Sequence, residues 1–313
     1  MKETGRPGLY RFWTPNYWPL WILLGLLRLI IMLPHSARLK VGFAIGRLGH
    51  WAIASRRAVT RRNIELCFPD LSEEERNKLA RAHFESLGAS FIEMGLGTWA
   101  SDEELLKLTK VEGTENITKH TDKGVGVILV SAHFTTLEIS GRILSTMIPP
   151  FDVVYRDHKN PMITAILRGN RERSVRRVIE KNDIRQMVRS LREGVAVWYA
   201  PDQSYSGKQS AVLPFFGVPC MTNTAMGNLG KLGRAVAVPY FPHRLADGTY
   251  KVSILPALED FPADDVETDA LRYNQMLEQG VMVCPEQYYW IHKKFKNLPE
   301  PHENYYANID HLK

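Results

Sequence analysis

Short apolar runs alternating with helix-forming stretches constrain this chain more than any other feature it has. VGVILVS at Val125–Ser131 is nearly all apolar, the pattern of a strand covered on both faces. FDVVY at Phe151–Tyr155 and VAVWYA at Val195–Ala200 follow, and further strands are expected at Ala235–Tyr240 and Thr249–Leu255. Helix signals fill the intervals. Residues 136–147 read as one helix, and Asn160-Pro161 supplies an N-cap and first-turn proline for a second, running to about Glu180. Asn182-Asp183 caps a third helix, stopped by Gly194. Two more are expected at Thr224–Leu232 and Val266–Val283, the latter ended by Pro285. Upstream, Ser72 with Glu75 forms a capping box for a helix reaching about Leu96. Strands alternating with helices imply an α/β fold with a mainly parallel central sheet flanked by helices. After Phe295 the chain reads as a loop-rich tail.

The N-terminal piece is different in kind. Residues 1–66 carry eleven basic and two acidic side chains, whereas the rest carries 29 and 32, so the net +6 belongs to that piece alone. It also holds the most apolar run, WPLWILLGLLRLIIML at Trp18–Leu33, interrupted only by Arg28. About 20 apolar residues are needed to span a bilayer, so this run suits a short inserted anchor or an interfacial helix as well as a span. Tyr10, Phe12, Trp13, Tyr17, Trp18 and Trp21 cluster as an interfacial aromatic belt would. A cleaved signal peptide fits poorly, because Pro34-His35-Ser36-Ala37-Arg38 follows instead of a small-residue cleavage site. The chain is thus expected to divide into a basic, apolar, membrane-anchoring helical segment at 1–66 and an α/β domain at 67–313.

Cys67, Cys220 and Cys284 are odd in number and far apart, which disfavours a disulfide framework or a zinc site and favours a reducing compartment. No G-x-S-x-G elbow, Walker loop or G-x-G-x-x-G fingerprint is present, and the histidines lack metal-ligand spacing. Classical serine hydrolase, nucleotide, dinucleotide and zinc chemistry are therefore disfavoured, and no metal is expected.

What remains is SAHFTTLEIS at 131–140. His133 directly follows the first core strand, and Glu138 falls in the first turns of the next helix. The spacing alone is weak, since a chain with ten histidines and 34 acids meets it by chance. Position strengthens it, because ligands of open α/β sheets bind beyond the carboxyl ends of the strands. Glu138, kept ionised by the helix dipole, is expected to accept the Nδ1 proton of His133 and leave Nε2 free as a base. With no protein nucleophile in the pattern, this suits direct attack by a substrate hydroxyl. A histidine that merely caps or packs is the competing reading. Arg156 and Asp202 end the second and third strands and are expected on the same sheet edge, as substrate-binding residues or as a loop salt bridge. The helix after Asn160 carries Arg168, Arg171, Arg173, Arg176 and Arg177. These make a solvated basic face or, more specifically, a substrate-binding surface for lipid phosphates or an acidic carrier protein. PEQYYWIHKKFK at 285–296 is expected to cover a rim of the crevice.

These segments carry a resemblance. RRNIELCFP (61–69), HFTTLE (133–138), VYR (154–156) and VWYAPD (197–202), within a match from the Trp-rich N-terminus to PEQYYWIHKKFK, resemble the late (secondary) acyltransferases of lipid A biosynthesis, most closely the lauroyl type. The resemblance implies a Gram-negative inner-membrane enzyme facing the cytoplasm. It implies acyl carrier protein as donor and, as acceptor, the hydroxyl of an acyl chain already on the Kdo-bearing lipid A precursor, with no cofactor. The family's dyad maps onto His133 and Glu138. One departure is Ser204, where the family carries an acidic residue. A glycerophospholipid acyltransferase with the same dyad and a non-catalytic lipid-binding scaffold are the alternatives.

Overall fold

The computed structural model describes residues 9–309, so Lys2, Glu3 and Arg6 of the basic segment lie outside the described residues. After 3-10 turns at 9–17, three helices follow: α1 (Trp18–Ile31), α2 (His35–Ala52) and α3 (Ala54–Cys67). The long α4 (Glu73–Trp99) opens with the expected Ser72–Glu75 capping box, made in both directions. Then come α5 (Asp102–Lys107), β1 (Thr109–Glu112), α6 (Glu115–Thr121), β2 (Val127–Val130), α7 (Leu137–Leu144), β3 (Asp152–Tyr155) and α8 (Pro161–Glu172). The chain continues through β4 (Arg177–Glu180), α9 (Ile184–Arg192), β5 (Ala196–Tyr199), β6 (Ser210–Phe215) and β7 (Val218–Asn223). It closes with α10 (Ala225–Gly233), β8 (Val236–Arg244), β9 (Tyr250–Ile254) and α11 (Val266–Val283).

Seven strands form one sheet in the order β1-β9-β8-β2-β5-β3-β4, and every pairing is parallel except β8 with β9. The expected mainly parallel sheet is therefore present. Period-2 alternation splits its side chains between two cores. Ile128, Val130, Val197 and Ala237 pack with α3, α9, α10 and α11, while Val127, Leu129, Trp198 and Val238 pack with α1, α7 and the C-terminal half of α4.

Two stretches depart from the sequence reading. The helix from Asn160 ends at Glu172 and gives way to β4, so Arg173 and Arg177 share no helical face. Arg176 instead grips buried Asp152 through two bonds of 2.9 Å, which draws residues 177–180 alongside β3. Between Asp202 and Thr224, where no strand was expected, lies the β6–β7 hairpin, turned by Phe216 and Gly217, both at positive φ. That is the two-residue turn geometry favoured between twisted strands. Strand β1 and helices α5 and α6 were also not anticipated.

The apolar N-terminal run is helical but short. Helix α1 has 14 residues, about 21 Å of rise, and among the described residues no helix is long and apolar enough to cross a membrane. Leu27 and Ile31 of α1 close over Gly95 of α4, and Arg28 stacks on Trp99 at 5.4 Å. Helix α2 lies tightly on α4. A Cβ on Gly88 would sit 2.0 Å from the Gly42 carbonyl oxygen, and one on Gly46 would sit 2.0 Å from that of Phe84. Such backbone contact has no flexible partner that could yield. Gly88→Ala should therefore destabilise the protein by about 2–3 kcal/mol, read as a lowered melting temperature in detergent; an unchanged melt would mean the helices are not held this closely.

Candidate active site

The parallel register of β2 and β5 builds the site. Val130 lies opposite Tyr199, and His133 and Asp202, each three residues further on, keep the same 69-residue offset and meet. Nδ1 of His133 donates to Oδ1 of Asp202 at 2.5 Å, and the His133 backbone N–H donates to Oδ2 at 3.1 Å. A carboxylate can only accept, so Nδ1 carries the proton and Nε2 is the free nitrogen. This corrects the expected pairing: the ring is held by Asp202, not Glu138. Asp202, expected as a substrate-binding residue, is the partner of the His133 imidazole.

Glu138 has a different partner. In the first turn of α7 it accepts from Arg171 of α8 through both carboxylate oxygens, with Nε at 3.3 Å from Oε2. The Arg171 guanidinium also lies over the Tyr155 ring at 5.1 Å. Of the other arginines considered, Arg168 is exposed and bonds Glu172 of its own helix at 2.8 Å. Arg156 is exposed beyond the end of β3 and lines neither the His133 cleft nor the neighbouring apolar pocket.

The cleft around His133 has a volume of about 250 Å³ and is also lined by Asn63, Gln203, Tyr288, Tyr289, His292 and Lys294. The segment from Pro285 does cover its rim. Tyr289 N–H donates to the His133 carbonyl at 3.0 Å, Thr135 N–H donates to the Gln287 carbonyl at 2.8 Å, and Phe134 forms an isolated bridge with Tyr288. Buried Asn63 of α3 donates to the carbonyls of Trp290 and His292, each at 2.7 Å. Lys294, also buried, donates to the Asp202 backbone carbonyl at 2.6 Å and lies 4.5 Å from the Phe215 ring centroid. Ser204 donates to the Lys296 carbonyl at 2.8 Å, tying the Asp202 loop to the same segment. Sequence reasoning assigned Asn63, His292 and Lys294 no role of their own, although RRNIELCFP and PEQYYWIHKKFK already stood out as motifs.

The electrostatics favour a base with a defined tautomer. Burial alone pushes the His133 imidazole down, but the Asp202 charge and hydrogen bond outweigh it and raise its pKa above 6.5; Arg171 and Glu138 act on it more weakly and in opposite senses. Burial pushes the Asp202 carboxyl up, and the opposing His133 and Lys294 interactions bring it below the usual carboxylate value. His292, by contrast, is pushed down to about 4 by burial and nearby cations and stays neutral. His133 and Asp202 are therefore tuned by each other.

Residues 7–297 match the model of the family described as bacterial lipid A biosynthesis acyltransferase. The chain belongs to that family. It is 36% identical over 288 residues to the lipid A biosynthesis lauroyltransferase of Escherichia coli (strain K12), covering 91% of this chain and 94% of that one. Identity to the palmitoleoyltransferase of the same organism is also 36%, over 92% and 94% of the two chains. To its myristoyltransferase the identity is 28%, over 90% and 88%. A solved 1-acyl-sn-glycerophosphate acyltransferase from Thermotoga maritima overlays with a TM-score of 0.39 at 14% identity, covering 80% of this chain and 99% of that one.

Asp202→Asn keeps an acceptor for Nδ1–H but removes the charge that raises the ring, leaving burial to lower it. The His133 titration, followed by NMR of labelled imidazole, should therefore move to lower pH; an unmoved or raised titration would show that Asp202 does not hold the ring.

Proposed function

We propose that the chain moves a fatty acyl group from acyl carrier protein onto the hydroxyl of an acyl chain already borne by the Kdo-containing lipid A precursor, with His133 as general base. The observation that carries this reading is the Asp202–His133 hydrogen bond, with Nε2 left free in a cleft at the carboxyl ends of the strands. The family supplies the acyl-transfer class.

In the proposed step Nε2 takes the acceptor's hydroxyl proton as that oxygen bonds to the thioester carbonyl carbon. The oxyanion falls to Arg171, which Glu138 holds in place. When the intermediate collapses the carbon–sulfur bond breaks, and the thiolate leaves with the proton held on Nε2. The products are an ester and a thiol. A thioester is already an activated acyl donor, so the step as written uses no metal or cofactor. Exposed Arg168 of α8 and exposed Arg173 just past its end suit an acidic carrier protein.

A positioned general base contributes roughly 10²–10⁴-fold. His133→Ala should lower acyl transfer at least about a hundredfold, and Asp202→Asn by a similar order, measured by mass spectrometry of the acceptor with acyl carrier protein as donor. Near-normal transfer by His133→Ala, or gain of mass only by a glycerophospholipid acceptor, would overturn the reading.

Attachment to the inner membrane on its cytoplasmic side belongs to the same proposal. Trp18, Ile22, Leu26 and Leu29 of α1 are exposed along one helical face, and Leu48 and Trp51 of α2 are exposed as well. Helix α1 is too short to cross the bilayer core but suited to lie in its interface. Arg11, Lys40, Arg47 and Arg56 supply the positive charge that anionic headgroups attract. Ile22→Asp with Leu29→Asp should weaken co-flotation with phosphatidylglycerol-containing vesicles at least about tenfold; undiminished binding would remove α1 from the interface.

A further inference from the structure

Two imidazoles line the polar cleft, and only one of them has a partner. His133 gives its Nδ1 proton to Asp202. The ring of His292 makes no hydrogen bond among the described residues, and neither of its nitrogens is sealed from solvent. Its backbone is nonetheless fixed on both sides. The His292 N–H donates to the Tyr289 carbonyl at 3.3 Å, and its own carbonyl accepts from Asn63 at 2.7 Å. Tyr289 in turn donates to the His133 carbonyl at 3.0 Å. His292 is thus tied through Tyr289 to the backbone of the base, and the charges of Asp202 and His133 both act on its ring. An unpartnered polar ring on so fixed a backbone, beside a base, calls for a ligand.

The chemistry of the ring says which ligand atom it meets. Burial and the Lys296 and Lys294 ammoniums keep it uncharged, so it offers one N–H and one lone pair without a positive charge. A neutral imidazole of this kind can serve an enzyme as a hydrogen-bond donor rather than as an acid or base. A hydroxyl that gives its proton to Nε2 of His133 has use for such a donor. One of its oxygen lone pairs attacks, and the other is left facing the cleft wall. A cation there would bind the oxygen tightly and blunt the attack, whereas a neutral N–H fixes which lone pair points at the carbon. Tyr288, another cleft residue that feels the Asp202 charge, is buried against Phe134, Phe215 and Trp290. We propose that His292 is a further substrate-binding residue, donating its ring N–H to the oxygen of the attacking hydroxyl while His133 takes that hydroxyl's proton. The inference rests on the acyl-transfer reading above and adds to it the group that orients the acceptor.

The test uses the full chain in detergent, with acyl carrier protein thioester and acceptor lipid each varied in turn. His292→Phe keeps an aromatic ring and removes both nitrogens. It should lower kcat/KM for the acceptor at least about fivefold, the worth of one hydrogen bond, and leave KM for the donor as it was. His292→Asn places an amide N–H near the position of Nδ1, and His292→Gln near that of Nε2; one of the two should restore most of the loss. Because His292 is uncharged, the His133 titration in His292→Phe should stay in place. An unchanged acceptor kcat/KM, an equal rise in donor KM, a loss that neither amide repairs, or a shifted His133 titration would each overturn the proposal. A second measurement needs neither turnover nor a variant. Diethyl pyrocarbonate modifies neutral, accessible imidazoles, and its reaction at His292 is followed by peptide mass spectrometry. Acceptor lipid added without donor should protect His292 on the unaltered chain. Protection without acyl transfer would keep the site and sink the reaction; transfer with His292 unprotected would do the reverse.

Discussion

The carboxylate of Asp202 grips residue 133 twice, at the ring and at the backbone, and the remainder of the site is arranged around that grip. Its origin is the pairing of two parallel strands. Once β2 and β5 are in register, the residues just past their ends are delivered to each other without any specific loop design. A buried carboxylate left without partners would cost several kcal/mol, so the grip requires compensation. Here the compensation is the imidazole, the backbone N–H and the nearby Lys294 ammonium, which is bonded to the carbonyl of the same aspartate.

The turn that carries His133 is held from behind by a second polar cluster. Arg244, at the end of β8, bonds buried Glu93 and Ser86 of α4, and Ser86 lies 2.7 Å from the Thr135 hydroxyl. Gln287 accepts from the Arg244 N–H and donates to its carbonyl, while its own carbonyl accepts from Thr135. His83, pushed down to about 4 by burial, remains neutral and donates from Nδ1 to the Glu286 carbonyl. Removing one member of such a cluster leaves a buried group unpaired, the costly case for hydrogen bonds. The 131–136 turn is thus fixed from its strand, from α4 and from the C-terminal segment at once. Such fixation matters for a base whose Nε2 must meet a proton within hydrogen-bond distance.

The fold was legible because its signals are local. The helix at Val266–Val283, the Ser72 capping box and the strand runs all follow from residues within a few positions of one another. The candidate base was legible for the same reason: His133 stands just past an apolar strand. Its partner was not. Glu138 lies five positions on and is visible to any reading by spacing, whereas Asp202 is brought in by strand register across 69 residues. Asp202 was placed on the correct sheet edge, yet whether β5 adjoined β2 was undecided without the strand order. The arginines after Asn160 show the same limit. Helix propensity favoured continuation to Glu180, and the ion pair of Arg176 with Asp152, a tertiary contact, ended the helix early.

The two faces of the sheet divide the chemistry. Burial alternates along β2, so Val127 and Leu129 belong to the core beneath α1 and α4, and Ile128 and Val130 to the opposite one. Past Val130 that alternation gives way to a turn, and the chain crosses to α7 on the α1 side. His133 therefore sits at the crossing, with the polar cleft of Asp202, Asn63 and Lys294 to one side and the apolar cavity under Glu138 and Arg171 to the other. Acyl transfer onto a lipid suits this arrangement, because charge that develops at a reacting carbonyl and the apolar chain attached to it favour opposite surroundings. The Glu138–Arg171 pair stands at that boundary. It presents charge to the imidazole, yet its mutual neutralisation makes it tolerable in the wall of an apolar cavity.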